Sequence, residues 1–305
     1  MGESCRTLPM KRPAKPQLYV LCDMEGASGI SPANAEALRH GSKLWHAEGR
    51  PCITSDRRAV CEAANAFGVD EIIVNDAHDN GKREPNILAH ELPDNVRIVR
   101  RPCLPGKPRH MAGAGLLGIV IVGQHARYGG GGFAPHTIQS PPIGEVPLNG
   151  IAVGEIGLEL ALFMDTPLLA VVGDQAAADE AVALCPRTVG IPVKSLERSW
   201  FPGTSEVYPV IREGVFDALH RRDEALGLHL EPPYRFALKP AAGYAFDPGK
   251  SFFLRWLSML ILGLCAGHVT RSEASWHTGS IIRALYALHS ARGSVSYTHL
   301  RAHET

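Results

Sequence analysis

The sequence predicts an α/β fold: a mainly parallel central sheet flanked by helices, with a smaller C-terminal lobe. Three observations predict it. Short apolar runs recur along the chain with helical patterns between them, as expected of parallel strands joined by crossover helices. The runs are almost continuously apolar, as in strands covered on both faces. They also end in acids, histidines and small residues, and α/β sheets gather ligands at the C-terminal ends of their strands.

The basic head, residues 1–16, holds several prolines and reads as disordered. The first strand is Leu18-Tyr19-Val20-Leu21-Cys22, followed by Asp23, Glu25, Gly26, Ser28 and Gly29. Asp23 and Glu25 are two apart, so on an extended backbone they point to the same side. Close carboxylates repel, and a divalent cation between them removes that cost. The alternative is a strand ending in a solvated, helix-capping turn. Thr54-Ser55-Asp56 reads as the cap of a helix over Arg57 to Phe67, which Gly68 ends. Glu71-Ile72-Ile73-Val74 is the second strand, and Asn75-Asp76-Ala77-His78 repeats the pattern of a strand followed by a polar cluster.

Val96 to Val99 is a short strand, and a connection rich in proline follows (Pro102, Pro105, Pro108). Gly118 to Gly123 is a buried strand ending in Gln124-His125-Ala126-Arg127. Gly129 to Gly132 reads either as a loop that closes over substrate or as a flexible surface turn. Val146 to Gly150 resembles a turn between two extended pieces, and Ile151 to Met164 reads as a helix carrying Glu155 near its start. Leu168 to Asp174 is a strand and Gln175 to Leu184 a helix. Tyr208 to Leu226 reads as an amphipathic helix. The catalytic region is expected over residues 17–235 and the smaller lobe over 236–294. Residues 295–305, VSYTHLRAHET, look like a translated sequencing adapter and are set aside with His299 and His303.

Composition narrows the function. Lys+Arg and Asp+Glu are both 31, so a formal charge of zero leaves no footprint for nucleic acid or an anionic membrane. The seven cysteines form no CxxC pair, which disfavours a disulfide framework and fits a reducing, cytoplasmic setting. No segment reads as a signal peptide. The most apolar window, Trp256 to Gly267, is shorter than the ~20 residues needed to span a bilayer. Fourteen histidines are the informative count, because several stand at strand ends. Histidine with carboxylate oxygen suits Zn²⁺ and other first-row metals. For any one of these histidines, an ordinary core or surface imidazole is the competing reading; recurrence at one sheet edge favours a metal site.

These motifs are recognisable as a set. Asp23-Met24-Glu25-Gly26 with Ser28-Gly29, Val74-Asn75-Asp76-Ala77-His78, Gly123-Gln124-His125-Ala126-Arg127, His136, and Val153-Gly154-Glu155-Ile156-Gly157 resemble the D-aminopeptidase family of binuclear zinc peptidases, of the bacterial dipeptide-operon type. The likeness runs from about Gln17 to at least Gly190, with the motifs in the family's order. It implies two zinc ions per subunit, Asp23 bridging them, and Glu25, His78, His125 and Glu155 completing the metal shell. It implies that His136 is the catalytic residue, which the family description calls a nucleophile. It also implies small peptide substrates such as D-Ala-D-Ala and a ring-like homo-oligomer. The segment after about Pro240 matches the family less well.

A zinc pair lowers the pKa of bound water toward about 7. His136 would then transfer a proton, stabilise the tetrahedral oxyanion, or attack directly. The first two are favoured, because the metals already supply a nucleophile; a histidine that only orients a ligand is the alternative. Asp76 reads as a support for His78 rather than a ligand, and Cys22 as strand core. Two other functions compete. One is another metal-dependent amidohydrolase acting on cell-wall peptides or small amides. The other is a non-catalytic peptide-binding protein of a transport operon, against which the complete set of candidate residues argues.

Overall fold

The computed structural model describes residues 15–81, 84–99, 115–138, 141–247, 268–292 and 295–297. Most of the head, the proline-rich connection and the apolar window Trp256 to Gly267 lie outside them. Strand β1 (Gln17–Cys22) is followed by helix α1 (Arg50–Phe67), β2 (Glu71–Asp76), β3 (Val96–Val99) and β4 (Leu116–Gln124). A hairpin of β5 (Val146–Leu148) and β6 (Ile151–Val153) precedes helix α2 (Glu155–Leu162). Then come β7 (Leu168–Asp174), α3 (Gln175–Leu184), β8 (Val189–Lys194) and α4 (Thr204–His220). The chain continues through β9 (Tyr234–Leu238), β10 (Tyr244–Phe246), β11 (His268–Val269), β12 (Ala274–Thr278), α5 (Ile281–Arg292) and β13 (Val295–Tyr297).

The expected central sheet is present, with order β3-β2-β1-β4-β7-β8 and every pairing parallel. Its two faces follow from the period of two along each strand. Leu18 and Val20 of β1 pack with Ile53 and Val60 of α1 and Ile211 and Val215 of α4. Tyr19 and Leu21 face the other way, into a core with Ile156 of α2, Ala177 of α3, Phe236 of β9 and Leu288 of α5. Both faces are covered, which is why the strand sequences are apolar throughout. The smaller antiparallel sheet has order β11-β12-β9-β5-β6, so it draws strands from both sides of residue 235. Strand β13 pairs with β10. Among the described residues, no helix is long and apolar enough to cross a membrane.

Two local expectations are corrected. The helix expected over Ile151 to Met164 begins only at Glu155. Asn149 and Gly150 take left-handed backbone, φ 49° and 85°, and make the tight turn that returns Ile151–Val153 as a strand. Gly154 is extended, with φ −100°, and opens the helix. Thr54, Ser55 and Asp56 do not cap a helix. They lie inside α1, which starts at Arg50 with Pro51 in its first turn, a position that needs no N–H. Asp56 spends its carboxylate elsewhere, accepting from Ser28 N–H at 2.9 Å and from Ser28 Oγ–H at 2.5 Å.

Candidate metal centre

In the central sheet the strand order reverses between β1 and β4. Chains leaving neighbouring strands there turn to opposite sides and open a crevice. Asp23 and Glu25 follow β1, and Gln124, which ends β4, leads directly into His125. Asp23 N–H still bonds Val122 O at 2.9 Å, so Asp23 is held to β4. Gly26 N–H bonds Gly123 O at 2.8 Å. A Cβ on Gly26 would lie 1.9 Å from Gln124 O, so only glycine admits this crossing. His78 lies just beyond β2, with Ala77 N–H bonded to Cys22 O at 3.2 Å. Glu155 is the first residue of α2.

These side chains converge. His78 Nδ1 is 3.1 Å from Asp23 Oδ1 and 3.3 Å from Glu25 Oε2. His125 Nε2 is 3.3 Å from the other Asp23 oxygen, Oδ2, and 3.8 Å from Glu155 Oε1. The two carboxylate oxygens of Asp23 thus face two different imidazoles. His136 Nε2 lies 3.8 Å from Glu155 Oε1, and its ring stacks on His125 at 3.9 Å between centroids and 10° between planes. Three sets of side chains present donor atoms close enough for one cation: Asp23, Glu25 and His78; Asp23, His125 and Glu155; and Glu25, His125 and His136.

The donor set fits a cation on a second count. Glu25 Oε2 and His125 Nε2 are buried and make no hydrogen bond, a costly condition unless another partner satisfies them. The other nitrogen of each ring is committed: His78 Nε2 lies 3.2 Å from Leu38 O, and His125 Nδ1 lies 2.8 Å from Ala126 O. Those bonds orient the rings with Nδ1 of His78 and Nε2 of His125 toward the carboxylates. Charge points the same way. Burial pushes the Asp23 carboxyl up, but the adjacent His125 and His78 imidazoles outweigh it and hold Asp23 well below the usual range. Burial disfavours protonated His78, yet Glu25 and Asp23 raise it well above an ordinary imidazole. His125 is lifted, against burial, to about 10 by Asp23 and Glu155. Glu155 is raised by burial and by the charge of Asp23. The imidazoles therefore carry protons that balance the carboxylates, and a divalent cation on the same atoms would replace them.

Asp76 lies apart from these sets and accepts Asn86 N–H and Nδ2–H, both at 2.8 Å; Asn86 Nδ2 also donates to His78 O at 3.0 Å. Asp76 therefore holds the His78 turn, as expected. Cys22 is strand core, its thiol pushed up to about 11 by burial. The glycine loop is anchored at its end: Phe133 N–H bonds Asp174 Oδ2 at 3.0 Å, and a Cβ on Gly132 would lie 2.2 Å from Asp174 Oδ1.

Several supporting residues escaped the sequence reading. Arg57 is buried and donates to the main-chain oxygens of Asp23, Ile53 and Val122. Lys194 is buried and donates to Glu25 O at 2.8 Å and Ile30 O at 2.6 Å, with Nζ 4.9 Å from the centre of the Phe133 ring. Gln124 Nε2–H donates to Asp23 Oδ2 at 3.2 Å. Only Gln124 had a sequence signal, its place beside His125. The cations grip backbone, so no spacing rule marks them.

Comparison with known proteins gives a family and a similar fold. A family model described as D-aminopeptidase matches residues 17–245. The chain is 28% identical over 188 residues to a D-aminopeptidase of Bacillus subtilis strain 168, a match covering 58% of this chain. It spans 63% of that relative, less than two thirds of its length. The fold is similar to a solved structure titled "Zn-dependent D-aminopeptidase DppA from Bacillus subtilis, a self-compartmentalizing protease". The TM-score is 0.76 with 20% sequence identity, covering 91% of this chain and 97% of that one.

Proposed function

The chain belongs to the D-aminopeptidase family, and on that premise we propose that it is a zinc-dependent aminopeptidase that removes N-terminal D-amino acids from short peptides such as D-Ala-D-Ala. The observation that carries this reading is the placement of Asp23, with Oδ1 toward His78 and Oδ2 toward His125. Because that one carboxylate faces two donor sets, Asp23 would be shared between two cations. Glu25 and His78 would complete one set, and His125 and Glu155 the other.

Bound zinc would supply Lewis acidity at the scissile carbonyl and lower the pKa of water. The chain's own residues do the rest. Asp23, Glu25 and Glu155 place negative charge around the cations, and the Leu38 and Ala126 carbonyls lock the two ligand imidazoles. His136 differs from His125: its side chain is 16% exposed where His125 is wholly enclosed. Its Nδ1 is bonded to Ala134 O at 2.9 Å, which leaves Nε2 turned to the site. We assign Nε2 to proton transfer to the leaving amine or to stabilising the oxyanion. The chain is also read as a homo-oligomer, by analogy with the relative described as self-compartmentalizing.

The test is zinc analysis of the purified protein with amine release from D-Ala-D-Ala and L-Ala-L-Ala. Two zinc per subunit with cleavage of the D-isomer supports the reading. Two zinc with neither cleaved transfers the protein to another amidohydrolase activity. No bound metal refutes both.

A further inference from the structure

We propose that Glu180 is a positioning residue of the metal centre, setting the spacing between His125 and Glu155 through its grip on the main chain beside each. This rests on the metallopeptidase reading of the site. Glu180, on α3, accepts Arg127 N–H with Oε2 at 2.8 Å and Gly154 N–H with Oε1 at 3.1 Å. Arg127 stands two residues after His125, and Gly154 directly precedes Glu155.

Those two segments belong to different sheets. β4, which leads to His125, pairs with β1 and β7 of the central sheet. β6, which leads to Glu155, pairs with β5 of the smaller sheet. Among the described residues no strand pairing fixes one segment against the other, and the carboxylate spans the seam with two bonds of the stronger, charge-assisted kind. The segments also meet at van der Waals contact: a Cβ on Gly154 would lie 2.6 Å from Arg127 Cβ and 2.9 Å from Glu180 Oε1. Glycine at 154 therefore lets the carboxylate reach both N–H groups at once.

α3 grips the same loop at a second place. Its N-cap Asp174 accepts Phe133 N–H at 3.0 Å, and His136 N–H closes the loop onto Ala126 O at 3.1 Å. The helix is thus a template for the loop from His125 to His136, and Glu180 ties the main chain of that loop to the residue that opens α2.

The test compares wild type, Glu180→Gln and Ile211→Val in the full chain. Glutamine keeps the size of Glu180 but presents an NH₂ group to one of the two N–H donors. Ile211, on the buried side of α4, packs on the opposite face of the sheet, so its substitution reports a purely structural loss. The readouts are zinc affinity by competition with a chelator, the absorption spectrum of the Co²⁺-loaded protein, kcat and KM on D-Ala-D-Ala, and thermal unfolding. Glu180→Gln is expected to weaken zinc about 10–100-fold and alter the cobalt spectrum. Its kcat should fall about tenfold or more with KM much less affected. Ile211→Val should unfold at lower temperature with wild-type zinc affinity and cobalt spectrum. Wild-type zinc affinity and spectrum in Glu180→Gln, or equal losses in Ile211→Val, overturn the inference alone. Failure of the wild-type chain to bind zinc overturns the metallopeptidase reading and the inference together.

Discussion

Asp23 and His136 are held differently within the candidate site. Both Asp23 oxygens face an imidazole, Oδ2 also accepts from Gln124, and Arg57 holds the residue's carbonyl. Removing that carboxylate takes a donor from two sets at once, so Asp23→Ala is expected to abolish zinc binding, read by elemental analysis. His136 is the more exposed of the stacked pair, so His136→Ala is expected to keep its zinc while turnover falls about 10²–10⁴-fold. Loss of zinc in His136→Ala would instead make that imidazole a ligand, in the set it forms with Glu25 and His125. At this scale the candidate residues were legible because each is a chemistry-bearing type in a short motif at the end of an apolar run. Arg57, Lys194 and Glu180 were not, because they act on backbone atoms of residues remote in sequence.

At the scale of elements, the departure of the chain from β1 is the demanding feature. Gly26 packs against the main chain of Gln124, and Gly123, with φ 75°, packs against that of Asp23, where a Cβ would lie 2.2 Å from Asp23 O. A methyl there meets backbone, which cannot rotate away. Gly26→Ala is therefore expected to destabilise the fold by about 1–3 kcal/mol and to weaken zinc by shifting Glu25, checked by denaturant midpoint and zinc titration. Strands β1, β2, β3, β4 and β7 and the helix Gln175–Leu184 were readable from apolar runs and helical patterning. The second strand of the hairpin, Ile151–Val153, and the early start of α1 were not: a three-residue strand shows no periodicity, and Thr54 and Asp56 resemble a cap only until tertiary contacts bury them.

Across the whole molecule, the candidate ligands come from the ends of β1, β2 and β4 and the start of α2. Cations on the two donor sets that share Asp23 would tie these four places together and bind only the folded chain. Zinc at a hundred times its dissociation constant is expected to add about 2.7 kcal/mol, a rise of several degrees in Tm that a chelator reverses. The sign of its pH dependence follows from the raised histidines. His125, at about 10, and His78 hold protons that zinc must displace. The increment should therefore shrink as pH falls from 8 to 6, measured by thermal unfolding with and without zinc.

The sequence by itself determined the parallel α/β class and the candidate ligands, because burial on two faces and metal chemistry both restrict which residue types can stand in a strand and at its end. Only the tertiary structure decided that Asp23 faces two imidazoles, that Glu155 begins its helix against the stacked histidines, and that Glu180 spans the two sheets. Those relations join atoms far apart along the chain. Their distances are set by the packing of whole elements, which no local pattern of residues encodes.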